Sequence, residues 1–429
     1  MHWTCGRTSG CAHTPYRVSG HMLSDAACSD SWPFRSLVLI RYLSVFSGIG
    51  SASFALGRLR RGFRAVAFAE VCPDASRVLS ARFPGVRNVG SAENIIRARL
   101  GAVDLLIGGS PCQPFSMTGK RDGLRSPTGR LALLFWEIFW HLAEHNGCKA
   151  AVFENVRGML SSTRPSDEAV NAGQADEEIA DNFGPVLGMA LGHPGWAVPE
   201  PAGGWPPCGR VRGSRAVAAW RVIHAADLGA SQARPRLYLV VARVEAGIDP
   251  GRLLAIAEAE GHDTAEGGRE VDPSRGGGGD RPRRTQVEYT GWNGDETPKV
   301  MAAAVPTLRA AQGGGGTGIA YRDHDGRAVI RRLTIREREE LSGMPPGWTA
   351  AAGVSAAARV RMTGNTMYAP VVAMIGTLLA NAADGNLVWK RARGRPRYHT
   401  ENTASTGAER KAIWRAGDDS RREQSREKL

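Results

Sequence analysis

An apolar run, a glycine-broken turn, a helix and a second apolar run follow one another between Leu37 and Glu70, and few architectures accept that order. Leu37 to Phe46 reads as a strand, and Ser47-Gly48-Ile49-Gly50-Ser51 as the turn that opens a helix from Ala52 to Arg60. Ala65 to Ala69 reads as a second strand ending at Glu70, and Pro73 to Phe83 as the next helix. A strand, a glycine turn, a helix and a strand with an acid at its end are the layout of a doubly wound α/β fold of nucleotide-binding type. Ligands in such sheets sit outside the carboxyl ends of the strands. The pattern continues with the strand-like Val103-Asp104-Leu105-Leu106-Ile107, the break Gly108-Gly109-Ser110, and then Pro111-Cys112-Gln113. Leu131 to Leu142 reads as an apolar helix, and Ala151 to Phe153 as a buried strand running into Glu154-Asn155-Val156. Trp220 to Ala225 and Leu237 to Ala242 read as strands flanking a turn with Gln232, Arg234 and Arg236.

The remainder sets the domain plan. A length of 429 residues, 42% hydrophobic and 23% charged, suits a soluble globular chain with one full core and a second, smaller domain. The main domain is expected over 37–244, a smaller one over 245–330 where regular patterning fades, and a return to the main domain over 331–387. Four-glycine runs at 276–279 and 313–316 mark loops in the middle part, and 161–182 reads as a polar, acidic loop or insertion. Helical character returns at Thr334 to Leu341 and at Tyr368 to Ala380. Residues 1–35 are polar and without period, so a disordered leader or a start-site artefact around Met22 is expected there. No apolar run approaches the roughly 18 residues that span a bilayer, and the start lacks the pattern of a signal peptide, so no membrane partner is expected. Seven scattered cysteines (Cys5, Cys11, Cys28, Cys72, Cys112, Cys148, Cys208) include no Cys-x-x-Cys pair, which points to a cytoplasmic chain without disulfides or a metal. The net charge is +13, of which the tail 388–429, with twelve Lys/Arg and six Asp/Glu, supplies +6. A balance this basic favours a polyanion such as nucleic acid.

A lone Pro-Cys is usually a buried structural thiol. The partners of Cys112 change that reading. Carbon 5 of cytosine is a poor nucleophile until a thiolate adds to carbon 6, and that addition needs a proton or strong hydrogen bond at ring nitrogen 3. Cys112 supplies the thiol and Glu154 the carboxyl. A free thiol is only a few per cent ionised at neutral pH, so Arg234 and Arg236 are expected to lower the pKa of Cys112 and to grip phosphate or the ring oxygen.

Six motifs in order, Phe46-x-Gly48-x-Gly50, Pro111-Cys112-Gln113-Pro114-Phe115-Ser116, Glu154-Asn155-Val156, Gln232-x-Arg234-x-Arg236, Arg332-Leu333-Thr334 through Gly343, and Gly364-Asn365, make the chain resemble a DNA (cytosine-5) methyltransferase of bacterial or phage type. The resemblance runs from residue 43 to about 380. It implies a doubly wound mixed sheet of the S-adenosylmethionine-dependent methyltransferase (Rossmann-like) type, with a smaller irregular target-recognition domain over 245–330. By the same resemblance Cys112 is the nucleophile, Glu154 the group at ring nitrogen 3, and Asn155 a brace for the catalytic loop. Arg234 and Arg236 lie near the target base and its backbone, with Gln232 holding their turn. Gln113, Ser116, Lys120 and Arg121 belong to a mobile loop that closes over DNA.

The cofactor implied is S-adenosylmethionine. Gly48 and Gly50 would allow its close approach, Phe46 would pack on adenine or ribose, and Glu70 would accept the ribose hydroxyls. Pro111, Leu134 and Asn365 would line the same pocket. One departure stands out: Ser91, in Val89-Gly90-Ser91-Ala92, occupies the place of the family's usual Asp for the adenine amino group, which implies weaker cofactor binding. Thr307 and Leu308 resemble the family's recognition pair, and Arg309, with Arg281, Arg283 and Arg284, is a candidate for guanine or phosphate contacts. The target base would be flipped from the duplex, and Arg393-Gly394-Arg395-Pro396-Arg397 resembles a minor-groove hook. Duplex DNA is the expected macromolecular partner of a monomer in the bacterial cytosol, with a restriction endonuclease as its functional companion. Transfer RNA as substrate, or a DNA-binding relative impaired by Ser91, are the other readings.

Overall fold

A strand that is apolar along its whole length has to be covered on both faces, and the runs from Leu37 to Ala242 are of this kind. The computed structural model describes residues 39–59, 62–116, 122–161, 181–228, 230, 232–254, 288–291, 299–301, 305–308, 317–322 and 328–383. All of them fall in the compact unit Met1–Asn386, and the second unit, Leu387–Leu429, lies outside the described residues. So do the leader, the basic tail with its hook-like pentapeptide, both four-glycine runs, and Lys120, Arg121, Arg281, Arg283, Arg284 and Arg309.

Five strands run parallel: β1 (Ile40–Val45), β2 (Phe63–Ala69), β3 (Arg87–Asn88), β4 (Leu105–Gly108) and β5 (Ala150–Val156). With β6 (Cys208–Arg212), β7 (Ala216–His224) and β9 (Pro235–Arg243) they form one sheet in the order β3-β2-β1-β4-β5-β9-β7-β6. β9 lies antiparallel between β5 and β7. This is a doubly wound mixed sheet, parallel from β3 through β5 and antiparallel from β9 to β6. Its helices begin with α1 (Ser51–Gly57) and α2 (Pro73–Arg82).

Period-two alternation divides the core. Leu43, Val45, Leu106, Phe153, Leu237 and Leu239 share one buried cluster with Phe135, Trp136 and Phe139 of α3 (Pro127–His145) and with Phe183 and Leu187 of α4 (Phe183–Ala190). α3 starts where the sequence lets it: Pro127 fills the first turn, and the Ser126 hydroxyl accepts the Gly129 N–H at 3.0 Å. Tyr42, Phe68, Ile107, Val152 and Val240 point to the opposite face and are equally buried.

The chain after Arg331 returns to the sheet through α5 (Ile335–Leu341), α6 (Ala356–Gly364) and α7 (Ala369–Ala383). Thr334 and Glu337 form a reciprocal capping box at the start of α5. One turn on, the Glu339 carboxylate is 1% exposed and accepts the N–H groups of Gly347 at 2.5 Å and Thr349 at 2.8 Å, the Thr349 hydroxyl, and the Arg359 guanidinium at 3.2 Å. That fixes Trp348, whose ring N–H donates to the Ile49 carbonyl at 2.8 Å and whose ring meets Phe54 and Phe83 edge-on at 4.8 and 5.8 Å. A late segment thus clamps the first glycine turn.

The middle part departs from expectation. Instead of an irregular region ending at 330, β10 (Glu288–Gly291), β11 (Lys299–Met301), β13 (Thr317–Arg322) and β14 (Ala328–Arg332) make an antiparallel sheet in the order β11-β10-β13-β14. Its strands are short and interrupted by glycine-rich stretches, which hides their period in the sequence. Two further short strands, β8 (Gln232–Ala233) and β12 (Val305–Pro306), pair parallel to each other.

Glu339→Ala strips four donors of their shared acceptor and leaves Arg359 without its buried partner. A loss on the order of 3–5 kcal/mol is expected, read as a lower urea midpoint at unchanged slope.

Candidate active site

Strand register builds this site. Val45 pairs with Ala69 on one side and Gly108 on the other, and Gly108 pairs with Phe153. The next residues along these parallel strands, Glu70, Phe46, Gly109 and Glu154, therefore stand in one row at the carboxyl edge of the sheet.

On the left of the row, Phe46, Gly48 and Gly50 have φ of 53°, 55° and 77°. Phe46 is the one non-glycine residue with positive φ among the described residues, so backbone strain is concentrated at this turn. A Cβ on Gly50 would come within 2.5 Å of the Phe83 ring, whereas one on Gly48 would meet nothing within 4 Å. Gly50 is there for packing, and Gly48 faces open space. The Glu70 carboxylate accepts the N–H groups of Gly48 at 2.7 Å and Cys72 at 2.8 Å. Beside it Val71 is 70% exposed, an unusual amount for an aliphatic side chain at a sheet edge. Ser91 opens a two-turn 3-10 helix, Ala92–Arg97, without its side chain capping it.

On the right, Gly109 makes room for the acid. A Cβ there would lie 2.7 Å from the Glu154 carbonyl oxygen and 3.0 Å from its carboxylate Oε2. The buried Asn155 amide donates to Ser110 Oγ at 3.0 Å and to the Ser110 carbonyl at 3.3 Å, while its own oxygen accepts the Val156 N–H at 2.8 Å. This holds the entry to Pro111-Cys112. Cys112 then caps the short turn Gln113–Phe115, which buried Phe115 anchors. Arg236 Nε lies 3.2 Å from Glu154 Oε1, with the two side chains 11% and 12% exposed.

Arg234 is 4% exposed and donates to the carbonyls of Thr366 at 2.5 Å and Gly364 at 3.5 Å. Its expected place at base and phosphate is corrected: it holds the turn that carries Asn365, the exposed C-cap of α6. Arg236 belongs to strand β9 rather than to a turn.

Burial dominates the electrostatics. It raises the Glu154 carboxyl above its ordinary range, against the pull of Arg236 and Arg234. It lowers Arg234 to about 10, with Arg236 adding to the effect and Glu154 opposing it. The Cys112 thiol was expected below its ordinary value and is raised instead: burial and then the Glu154 charge outweigh the two guanidinium groups. The resting thiol is therefore protonated at neutral pH.

Of the remaining sequence candidates, Pro111 and Ser116 are half-buried and Gln113 is exposed on the Cys112 loop. Leu134 packs against the α3 side of the core. Gln232 is buried on β8, and Thr307 is half-buried. Leu308 is 1% exposed, so its expected contact with DNA is corrected to a core position, apolar and inward. Sequence reading missed Asn88. Its side-chain oxygen accepts the N–H groups of Glu70 at 3.0 Å and Gly90 at 3.1 Å, and its NH2 donates to the Glu70 carbonyl and Ser76 Oγ, both at 3.0 Å. Asn two residues before a glycine is a turn signal that would have found it. Gly109 and Val71 were also missed, and only the fold reveals them.

The topology and this edge define a doubly wound α/β domain with a candidate site at the carboxyl ends of its strands. Residues 40–172 match the family model described as C-5 cytosine-specific DNA methylase. A DNA N-6-adenine-methyltransferase of Escherichia phage P1 is 34% identical over 230 residues, half of this chain and 30% of that protein. Type II methyltransferase M.NgoMIV of Neisseria gonorrhoeae is 30% identical over 197 residues, 46% of this chain and 50% of that one. Type II methyltransferase M2.BsuMI of Bacillus subtilis is 26% identical over 354 residues, 80% and 75% of the two chains. The chain spans less than two thirds of the length of the first two of these relatives. The Arg234, Arg236 and Asn365 segments lie beyond the matched residues 40–172; β9 brings Arg236 to the site, and Arg234 holds the turn with Asn365.

Because the folded protein holds the Glu154 proton more tightly than the unfolded chain, the carboxyl's contribution to stability falls as pH rises from the ordinary carboxylate range to the raised value. Glu154→Gln removes that dependence. Its stability relative to the parent should climb through this window and level off above it in urea titrations at stepped pH; a difference flat with pH would show an unperturbed carboxyl.

Proposed function

We propose that this protein transfers a methyl group from S-adenosylmethionine to carbon 5 of a flipped-out cytosine in duplex DNA, through a transient bond between Cys112 and the ring. The observation that carries this reading is the convergence of Cys112 with Glu154 and Arg236 at one sheet edge, each within the others' electrostatic reach.

The cofactor is supported by the left half of the row. The open face of Gly48, the Glu70 carboxylate and exposed Val71 suit a ligand with hydroxyls at one end and a flat ring at the other. Phe46, Gly48, Glu70, Val71, Ser91, Pro111 and Asn365 are the residues that would hold it. When bound, S-adenosylmethionine supplies an electrophilic methyl group.

The protein's own residues do the rest. Cys112 loses its thiol proton to solvent as sulfur bonds to ring carbon 6. Glu154 delivers a proton to ring nitrogen 3, so carbon 5 gains the electron density that makes it nucleophilic. After carbon 5 has been methylated, loss of its hydrogen as a proton to solvent expels the Cys112 sulfur as a thiolate, which regains a proton from solvent, and nitrogen 3 returns its proton to Glu154. Arg236 steadies the carboxylate while the proton is away. Attack by an exocyclic amine, as adenine N6 methylation requires, uses the amine's own lone pair and needs neither a thiol nor an acid across the ring. The presence of both favours carbon 5 of cytosine. Sequence choice falls to residues 245–330. The biological setting proposed is a cytoplasmic monomer protecting sites against a companion endonuclease or a host's defences.

Nucleoside mass spectrometry and bisulfite sequencing of DNA from a methylation-free host expressing the chain should show 5-methylcytosine in one short sequence, with purified transfer RNA unmodified. Cys112→Ser should abolish the mark, and Glu154→Gln should slow a single turnover by about 100-fold or more with donor binding retained. N6-methyladenine that persists in Cys112→Ser would overturn the proposal.

A further inference from the structure

Seven buried side-chain nitrogen or oxygen atoms lack a hydrogen-bond partner among the described residues, and five of them belong to Glu154, Gln232, Arg234 and Tyr238. Folded proteins leave few such atoms, so their occurrence on Glu154, Arg234 and Tyr238, which interact with one another, marks a site where polar capacity is held in reserve. Tyr238 stands out among the four because nothing assigns it a task. It sits directly opposite Glu154 across the β5–β9 ladder, and its side chain leaves the sheet on the same face as those of Glu154 and Arg236. Its hydroxyl lies in a ring of titratable and charged groups: Glu154 from β5, Arg234 and Arg236 from its own segment, and Tyr368 from the turn before α7. Cys112, from the loop after β4, faces the same carboxyl. A phenylalanine would fill the space without burying an unpartnered hydroxyl, so stability alone gives no reason for tyrosine here.

We infer that Tyr238 is a positioning residue for Glu154, its hydroxyl orienting the carboxyl through the proton transfer to the cytosine ring. At rest Glu154 leans on Arg236, and the hydroxyl is idle. When the carboxyl turns to a bound ring, its O–H points at ring nitrogen 3 and the Tyr238 O–H donates to its other oxygen. Once that proton has moved to ring nitrogen 3, the phenol O–H donates to the carboxylate left behind. No bond to the Tyr238 oxygen is made or broken, and the phenol keeps its own proton throughout. The inference rests on the cytosine-5 reading given above and adds to it a residue that touches neither substrate nor cofactor.

The test compares the full chain with Tyr238→Phe, Glu154→Gln and the double variant, by single-turnover methylation of duplex DNA across pH and by thermal melting. Donation to the charged carboxylate lowers the pKa of Glu154, so its removal raises it. In Tyr238→Phe the alkaline limb, on which Glu154 must still hold its proton, should move to higher pH. The single-turnover rate should fall on the order of tenfold, the loss of one charge-assisted hydrogen bond in the transition state. KM for DNA and donor should stay put, and the melting temperature should hold or rise. In the Glu154→Gln background, Tyr238→Phe should change nothing further. A lower melting temperature with an unchanged rate and pH profile would make the hydroxyl merely structural and overturn the inference, as would an equal rate loss in the Glu154→Gln background. A parent that forms no 5-methylcytosine refutes the underlying reading itself, before any variant is compared.

Discussion

Parallel pairing of β2, β1, β4 and β5 in one register is what the chemistry at this edge depends on. Each strand pair aligns its last residues, so four side-chain positions that are far apart in sequence end as neighbours. Two of the four are acids, Glu70 and Glu154, at opposite ends of the row. Between them Phe46 and Gly109 mark where the backbone leaves the sheet, one through a left-handed residue and the other through a position that tolerates no side chain. A slip of one residue in β4 that put Ser110 in the place of Gly109 would drive its side chain against Glu154.

The second half of the edge is governed by the cost of burying charge. Glu154, Arg234 and Arg236 are nearly enclosed, and burial pushes the carboxyl and the Arg234 guanidinium toward their neutral forms. Two cations against one carboxylate would leave an uncompensated charge were Arg234 not solvated by carbonyls, and the carbonyls of Gly364 and Thr366 do this. One guanidinium thus serves architecture and the other the acid. The thiol of Cys112 is held protonated by the same burial and by the same carboxylate.

Much of this was legible in the sequence because it depends on local chemistry. The glycine turn after β1, the acid ending β2, the Pro-Cys after β4 and the Glu-Asn of β5 each follow an apolar run that only a buried strand explains. What escaped was set by distance. Nothing near Arg234 in sequence shows that its partners are carbonyls more than 120 residues away. The thiol's pKa was misjudged for a related reason: counting charges gave two cations against one acid, whereas enclosure, invisible in sequence, weighs more than either. Leu308 followed the same pattern, since a leucine beside a threonine in a glycine-rich stretch looks exposed until a core closes over it. The antiparallel sheet of β10, β11, β13 and β14 was hidden because strands of three to six residues broken by glycine show too few periods to register.

The middle segment meets the main domain at a separate two-stranded ladder. β12 pairs with β8 through two residues, Val305 with Gln232 and Pro306 with Ala233. Thr307 and Leu308 follow directly on one side, and Arg234 and Arg236 on the other. A displacement of 305–308 therefore either breaks this small ladder or is carried along one continuous backbone to the guanidinium that holds Asn365 and to the one that holds Glu154. Leu308 is buried, which resists the first outcome, and Gln232 is buried with its amide unpartnered, which leaves β8 little side-chain bonding of its own to hold it back. The short ladder thus has buried Leu308 on one side and, on the other, Arg234 bonded to the carbonyls of Gly364 and Thr366.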